Sequence, residues 1–270
     1  MSDDEAGIGL DAVFLEPPRP PSPEPTSAKY VREKASSCES DPPSPWTEIT
    51  VSLVGTHPLW GHHLWNAARA FATYLDENTE LYRDRQVLEL GAGGGLPGII
   101  AAKNGARKVV LTDYPDTQLL NNLRHNVTTN IPAEMHSCVD VQGYIWGQPV
   151  KSLYDHLPSQ RGFDLIIMSD LIFNHSQHEA LLNTCSDALT PSSTDDAIMP
   201  AVLVFYTHHR PRLAHRDMVF FRLAQEKGWT CQKILERRYP LMFPEDSGDE
   251  EVRSTVHGWS LTRRCANSMP

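Results

Sequence analysis

Residues 87–98 read V-L-E-L-G-A-G-G-G-L-P-G, and this stretch decides the fold of the 270-residue chain. An apolar strand pattern ends at Leu90, a run of glycines follows, and I-I-A-A-K-N-G then continues as an apolar helix. In an open α/β sheet, ligands bind at the carboxyl ends of the strands, where such turns lie. Because glycine has no Cβ atom, a ligand can approach the backbone closely at Gly91, Gly93 and Gly95. The stretch therefore predicts a strand–loop–helix turn that holds a ligand.

The segments around this turn alternate between strand and helix patterns. T-E-I-T-V-S-L-V alternates polar and apolar residues, as a half-buried strand does. K-V-V-L-T-D predicts a further strand, and F-D-L-I-I-M-S-D and A-V-L-V-F-Y are apolar runs typical of strands buried on both faces. The remaining patterns predict helices near 64–75, 116–126, 177–189 and 212–227, and strands near 137–141, 230–237 and 254–262. Such alternation predicts a parallel, doubly wound sheet with right-handed crossovers.

The first 45 residues differ in composition from the rest of the chain. They hold nine of the 21 prolines, in runs such as P-P-R-P-P-S-P-E-P. Proline lacks an amide donor and fixes φ, so such a stretch is a poor builder of packed elements. We therefore expect a flexible, acidic and proline-rich tail over 1–45 and a folded domain over 46–270.

Overall charge and cysteine usage exclude several classes of protein. The chain has 24 Lys and Arg against 34 Asp and Glu, a net charge of −10, which argues against an extended nucleic-acid-binding surface. No apolar run reaches the ~18 residues of a membrane span, and no secretory signal is visible. The five cysteines are scattered without a C-x-x-C pair. We expect a cytoplasmic protein without metal, membrane or nucleic-acid partners.

Asp113 ends the strand that follows the glycine turn and indicates what the turn binds. A carboxylate 22 positions after Gly91 can accept both hydroxyls of a ribose, as in nucleoside-containing cofactors. Residues 93–98 also fit the dinucleotide pattern G-x-G-x-x-G. Counted from the strand end, however, the third glycine of that pattern falls on Leu96, and Glu89 would lie near an anionic pyrophosphate. S-adenosylmethionine has no phosphates and carries a sulfonium and an ammonium, so it suits these neighbours better.

Five motifs in this order resemble one family. They are L-W-G-H-H-L-W-N-A, the glycine turn, T-D-Y-P-D, G-Y-I-W-G and S-D-L-I-F-N-H. Together they resemble the fungal protein N-terminal and lysine methyltransferases of elongation factor 1-alpha, once labelled nicotinamide methyltransferase-like, among the class I S-adenosylmethionine-dependent enzymes. The resemblance extends from about Trp46 to the C-terminus. It implies a Rossmann-like, doubly wound sheet of seven strands with an antiparallel final strand.

The same resemblance implies the activity and the cofactor contacts. A monomer would use S-adenosylmethionine to methylate the N-terminal glycine and adjacent lysine of elongation factor 1-alpha. Asp113 would hold the ribose, Trp146 would flank the adenine and Trp65 would line the methionine end. The other contacts would come from the glycine turn and the end of the fourth strand: Gly91, Ala92, Gly93 and Ser169. For both tryptophans the alternative is core packing.

Methyl transfer to an amine needs alignment and a neutral nucleophile, because the sulfonium is already activated. The target amine must lose a proton on entering the site. Asp170, directly after Ser169, is the best-placed catalytic candidate, and Asn174 follows on the same loop. For Asp170 the alternative is a helix cap or a sheet-edge hydrogen bond. We expect His208 and His209 to be solvated loop residues, since no ligand spacing for a metal accompanies them.

Three other functions stay open at this point. A small-molecule N-methyltransferase acting on a nicotinamide-like amine would close its pocket with aromatic residues. An NAD-dependent oxidoreductase would need catalytic residues such as Tyr-x-x-x-Lys or a separate catalytic domain. A cofactor-binding scaffold without turnover would have no need of Asp170.

Five carboxylates within residues 245–251 favour a basic peptide as the substrate, provided that this loop opens at the cofactor edge.

Overall fold

The computed structural model describes residues 24–33, 46–55, 61–159, 161–192 and 198–263, and strands and helices alternate along them. The strands are β1 (Thr26–Val31), β2 (Glu48–Leu53), β3 (Gln86–Leu90), β4 (Lys108–Asp113), β5 (Val139–Gly143), β6 (Leu165–Ser169), β7 (Ala201–Thr207), β8 (Trp229–Arg238) and β9 (Thr255–Arg263). The helices are α1 (Asn66–Glu77), α2 (Leu96–Lys103), α3 (Thr117–Asn130), α4 (Lys151–Tyr154), α5 (His178–Ala188), α6 (Ala214–Asp217), α7 (Val219–Glu226) and α8 (Glu250–Ser254). Over the described ranges, every helix is too short or too polar to cross a membrane.

Seven of these strands form one sheet, in the order β5-β4-β3-β6-β7-β9-β8. The five strands from β5 to β7 pair in parallel, whereas β9 pairs antiparallel with both β7 and β8. This confirms the predicted doubly wound sheet with an antiparallel final strand. The strand order reverses between β3 and β6, and doubly wound sheets bind their ligands at this point.

Neighbouring residues of the central strands supply two separate hydrophobic cores. Val87 belongs to the core under α1 and α2, whereas Leu88 belongs to the core under α5 and α7. Successive side chains of a strand point to opposite faces, so a strand covered on both sides buries its residues on both faces. All five residues of β3 are buried, including the polar Gln86 and Glu89.

The amino-terminal segment corrects one prediction. β1 pairs antiparallel with β2, with Thr26 opposite Leu53 and Glu48 opposite Val31. Tyr30 is buried and its hydroxyl lies 3.0 Å from that of Thr73 on α1. A flexible tail over the whole of 1–45 is therefore wrong for residues 26–31, because they pair with β2 and Tyr30 is buried. Residues 1–23 and 34–45 of that predicted tail lie outside the described residues.

Residues 61–65 also differ from the prediction. The helix expected near 64–75 begins only at Asn66, and Trp65 occupies its N-cap position with extended backbone. His63 and Trp65 therefore project from a turn at the end of the sheet. This difference places both rings beside the carboxyl ends of the strands.

Candidate functional site

A cavity of about 570 Å³ lies at the carboxyl ends of β3, β4 and β6. It opens at the point where the strand order reverses. All nine site residues predicted from the sequence contribute to its lining: Trp65, Gly91, Ala92, Gly93, Asp113, Trp146, Ser169, Asp170 and Asn174. The sequence did not single out other lining residues, including His63, Tyr114, Ile145, Phe173, Gln177 and Arg210.

Two glycines of the turn are needed for different reasons. Both Gly91 and Gly93 have positive φ angles, of 59° and 54°. A Cβ atom on Gly91 would lie 2.6 Å from Leu171 Cδ2 and 3.1 Å from Trp146, so side chains crowd this position. A Cβ on Gly93 would meet nothing within 4 Å. The backbone of Gly93 therefore faces open space, which a ligand can occupy.

Asp113 is held in place by the backbone of the turn. Its Oδ2 accepts a hydrogen bond from the Gly93 amide at 2.7 Å, and its Oδ1 accepts one from the Tyr114 amide at 2.7 Å. A carboxylate has about four lone-pair sites, more than a neutral amide oxygen offers. The arrangement suits a ribose, because the carboxylate is already oriented before any ligand arrives.

Glu89 is a second carboxyl group of the cavity and is fully buried. Its Oε2 accepts a hydrogen bond from the Gly98 amide at 2.8 Å, whereas its Oε1 has no partner among the described residues. Burial raises the pKa of Glu89 to about 8; the Gly98 hydrogen bond opposes the rise and the charge of Asp113 adds to it. A buried carboxyl group that can ionise beside a ligand favours a cationic ligand and disfavours a pyrophosphate. These residues therefore fit S-adenosylmethionine.

Asp170 joins the ends of two neighbouring strands. Its backbone amide donates to the Phe205 carbonyl at 2.7 Å, and its φ of 57° is uncommon for a residue with a side chain. Its Oδ2 lies 2.8 Å from Nε2 of His209, and its Oδ1 lies 3.4 Å from the Thr207 amide. The expected alternative, a sheet-edge hydrogen bond, is thus present, but the buried carboxylate also lines the cavity.

The two histidines that follow β7 are not freely solvated loop residues, contrary to the prediction, although His209 is only partly buried. His208 is buried, and its Nδ1 lies 2.6 Å from Asp217, whose other oxygen lies 2.6 Å from Nε2 of His175. Burial lowers the pKa of His209, but the charge and hydrogen bond of Asp170 outweigh it, so the pKa lies above its usual value. Asp170 and His209 meet because they follow the neighbouring strands β6 and β7. Among the described residues, no group of three or more His, Cys, Asp and Glu could hold a metal ion.

Comparison with known proteins places this site in a family. The model of a family described as lysine methyltransferase matches residues 54–227. The chain belongs to the lysine methyltransferase family. The match runs from the end of β2 to the end of α7 and includes the glycine turn, Asp113 and Asp170.

Relatives of this methyltransferase are similar over nearly their whole length. The protein N-terminal and lysine N-methyltransferase EFM7 of Cryptococcus neoformans is 46% identical over 274 residues, which cover 97% of this chain and 91% of the relative. Its counterpart in Schizosaccharomyces pombe is 42% identical over 254 residues, covering 93% and 94%. A solved structure of a putative S-adenosylmethionine-dependent methyltransferase from Streptococcus mutans has a TM-score of 0.54 at 14% identity, covering 78% of this chain and 53% of that one. That structural likeness concerns the fold alone.

An oxidoreductase would need catalytic residues in the cavity, and the methyltransferase offers none of the expected kind there. Its one Tyr-x-x-x-Lys sequence begins at Tyr30. The Tyr30 hydroxyl is hydrogen-bonded to Thr73 within the core and does not line the cavity.

A second cavity of about 380 Å³ adjoins the first in the methyltransferase. Both cavities are lined by Trp65, Phe173 and Arg210. The Trp65 ring contacts the His209 ring edge-on, with centroids 4.7 Å apart. The remaining lining comes from the segment after β8 and from α8: Leu241, Met242, Phe243, Asp246 and Arg253. This cavity was not predicted from the sequence, although the apolar run L-M-F-P before the acidic loop was a signal for it.

The acidic loop is only partly available to a ligand. Asp249 accepts a hydrogen bond from the Val252 amide at 3.1 Å and so caps α8, and Glu251 pairs with Arg238. Asp246 is exposed and lines the second cavity. Of the predicted peptide-attracting carboxylates, Asp246 is therefore the one that the structure brings to the site.

Binding of a cationic cofactor is expected to release protons near pH 7. Glu89 keeps its proton there because its pKa is about 8, and a nearby cation lowers that pKa. Calorimetry in buffers of different ionisation enthalpy should detect release of up to about one proton per S-adenosylmethionine bound. The Glu89→Gln variant, which cannot titrate, should show none of this release. A wild-type binding enthalpy that does not vary with buffer would contradict the assignment.

Trp146 is expected to contribute binding energy to the cofactor. Its partly exposed ring packs against the core on one side and lines the cavity beside Gly91 on the other. Trp146→Ala should weaken S-adenosylmethionine binding by ~1–2 kcal/mol if the ring covers the adenine, measured by calorimetry. Thermal unfolding of the variant serves as the control. Unchanged affinity in a folded variant would remove Trp146 from the adenine site.

Proposed function

We propose that the protein is an S-adenosylmethionine-dependent N-methyltransferase of the amino-terminal glycine and adjacent lysine of translation elongation factor 1-alpha. The observation that carries this proposal is similarity over more than nine-tenths of the chain to enzymes named for N-terminal and lysine methylation. The cavity supports it, since its carboxylates suit a cationic cofactor and an incoming ammonium. The elongation factor as substrate rests on the five-motif resemblance.

The residues of the chain would act mainly by positioning. Bound S-adenosylmethionine supplies an activated methyl group. The glycine turn and Asp113 would hold its nucleoside, and Glu89 would face its positive charge. Asp170 and Asn174, which also line the cavity, would contact the amine that accepts the methyl group.

Asp170 would prepare the acceptor amine. The amine arrives as an ammonium, and a buried carboxylate attracts it and can accept its proton. The contact between His209 Nε2 and Asp170 Oδ2 would keep the carboxylate oriented. The neutral amine then has its lone pair free for in-line attack on the methyl group.

The decisive experiment combines the purified protein, labelled S-adenosylmethionine and a lysate from fungal cells that lack the enzyme. Labelled products are identified by mass spectrometry, with the Asp113→Asn variant as the control for background labelling. Label on the N-terminal peptide of elongation factor 1-alpha is expected. Label only in the metabolite fraction would favour the small-molecule alternative. No label despite cofactor binding would contradict this proposal.

A further inference from the structure

Arg253 is a buried cation in the wall of the second cavity. The residue is 7% exposed, and its Nη1 donates to the Phe243 carbonyl at 2.8 Å. Its Nε has no hydrogen-bond partner among the described residues. Within that same part of the chain, no carboxylate forms an ion pair with its guanidinium. Burying a charged group and a hydrogen-bond donor is costly unless a partner pairs with the charge or accepts the hydrogen bond.

The surroundings of Arg253 indicate what kind of partner this is. Leu241, Met242 and Phe243 give the cavity apolar walls, and Asp246 adds a carboxylate at its exposed side. The cavity therefore offers a hydrogen-bond donor, an apolar surface and an anion at once. A polypeptide matches all three, because it carries carbonyl oxygens, side chains and, where lysine follows the acceptor, a cation.

The position of the second cavity points the same way. Trp65, Phe173 and Arg210 line both cavities, and His209 links the second one to Asp170. A small amine and the cofactor need only the first cavity. An extended chain that advances about 3.3 Å per residue would continue from the reacting amine into the second cavity.

We propose that the second cavity binds the polypeptide segment that follows the methyl acceptor. Arg253 donates to a backbone carbonyl or a side-chain carboxylate of this segment, and Asp246 pairs with a basic side chain. The proposal rests on the proposed function, because it takes a protein to be the substrate. It makes residues 241–253 the part of the enzyme that selects a polypeptide over a free amine.

The test measures steady-state methylation of elongation factor 1-alpha purified from cells that lack the enzyme. Arg253→Met removes the donor, and Met242→Trp fills the cavity while leaving the bond from Arg253 to Phe243 intact. Each variant should raise the KM for the protein substrate at least about tenfold and change kcat by less than about twofold. S-adenosylmethionine affinity, measured by calorimetry, should stay within about twofold. Arg216→Gln, an exposed change outside both cavities, is the control for loss of positive charge and should match the wild type.

The outcomes separate this inference from the proposed function. An unchanged KM in Met242→Trp would overturn the inference, and so would an equal loss of cofactor affinity in both variants, which would make Arg253 a structural residue. A wild-type enzyme that leaves elongation factor 1-alpha unlabelled would instead contradict the proposed function, and the inference would fail with it.

Discussion

Replacing Asp113 with asparagine is expected to weaken S-adenosylmethionine binding at least about 100-fold, since hydrogen bonds to a charged group contribute roughly 1.5–3 kcal/mol each. The loss arises because a ribose presents two hydroxyl donors, and an asparagine offers a single neutral acceptor. Asparagine is preferred to alanine here, because the carboxylate also accepts hydrogen bonds from the Gly93 and Tyr114 amides. Calorimetry measures the affinity directly.

Asp116→Asn is the matched control. Asp116 accepts hydrogen bonds from the Gln118 and Leu119 amides at the start of α3 and does not line the cavity. Asparagine also caps helices well, so this variant should bind the cofactor like the wild type. Retained affinity in folded Asp113→Asn would show that the ribose is held elsewhere.

Asp170→Asn is expected to lower kcat roughly 100- to 1000-fold while changing cofactor affinity by less than about threefold. The substitution keeps the shape of the side chain but removes the charge that draws in an ammonium and takes its proton. Single-turnover kinetics with saturating cofactor measure this loss. Normal turnover would remove Asp170 from the mechanism and leave it as a link between β6 and β7.

The same variant has a second readout that does not depend on activity. The pairing with Asp170 raises the pKa of His209 against the effect of burial. Without the charge, that pKa should fall, so His209 would lose its proton at a lower pH than in the wild type. Titration of its ring by NMR in the wild type and in Asp170→Asn would measure the shift. Equal pKa values would contradict the pairing.

Local patterns were sufficient to predict the central sheet but not its amino-terminal companion. The apolar runs of β6 and β7 indicate burial on both faces, and the glycine turn marks the carboxyl end of β3. β1 was missed because prolines surround the short T-S-A-K-Y-V stretch. Its strand depends on pairing with β2 and on the Arg32–Asp76 ion pair, with bonds of 2.5 and 2.7 Å. Neither contact is visible in local composition.

Part of the candidate site was likewise predictable from local sequence, and part was not. The positions of Gly91, Asp113 and Asp170 follow from strand ends, so the sequence predicts that they share a cavity. His209 was misjudged because its burial depends on the end of a neighbouring strand. Arg253 lies far along the chain from the glycine turn, and only the packing of α8 brings it beside Phe243. Residues whose roles arise from long-range packing have no local signature.

The antiparallel strand β9 has a practical consequence for recombinant work. The family match ends at residue 227, ahead of β8, β9 and the whole segment 241–253. A chain trimmed to that limit would leave β7 as an open sheet edge, because the backbone amides and carbonyls that now pair with β9 would have no partner strand. Such edges promote aggregation. The limits of the family match are thus narrower than those of the folding unit, and expression of a soluble enzyme requires the latter.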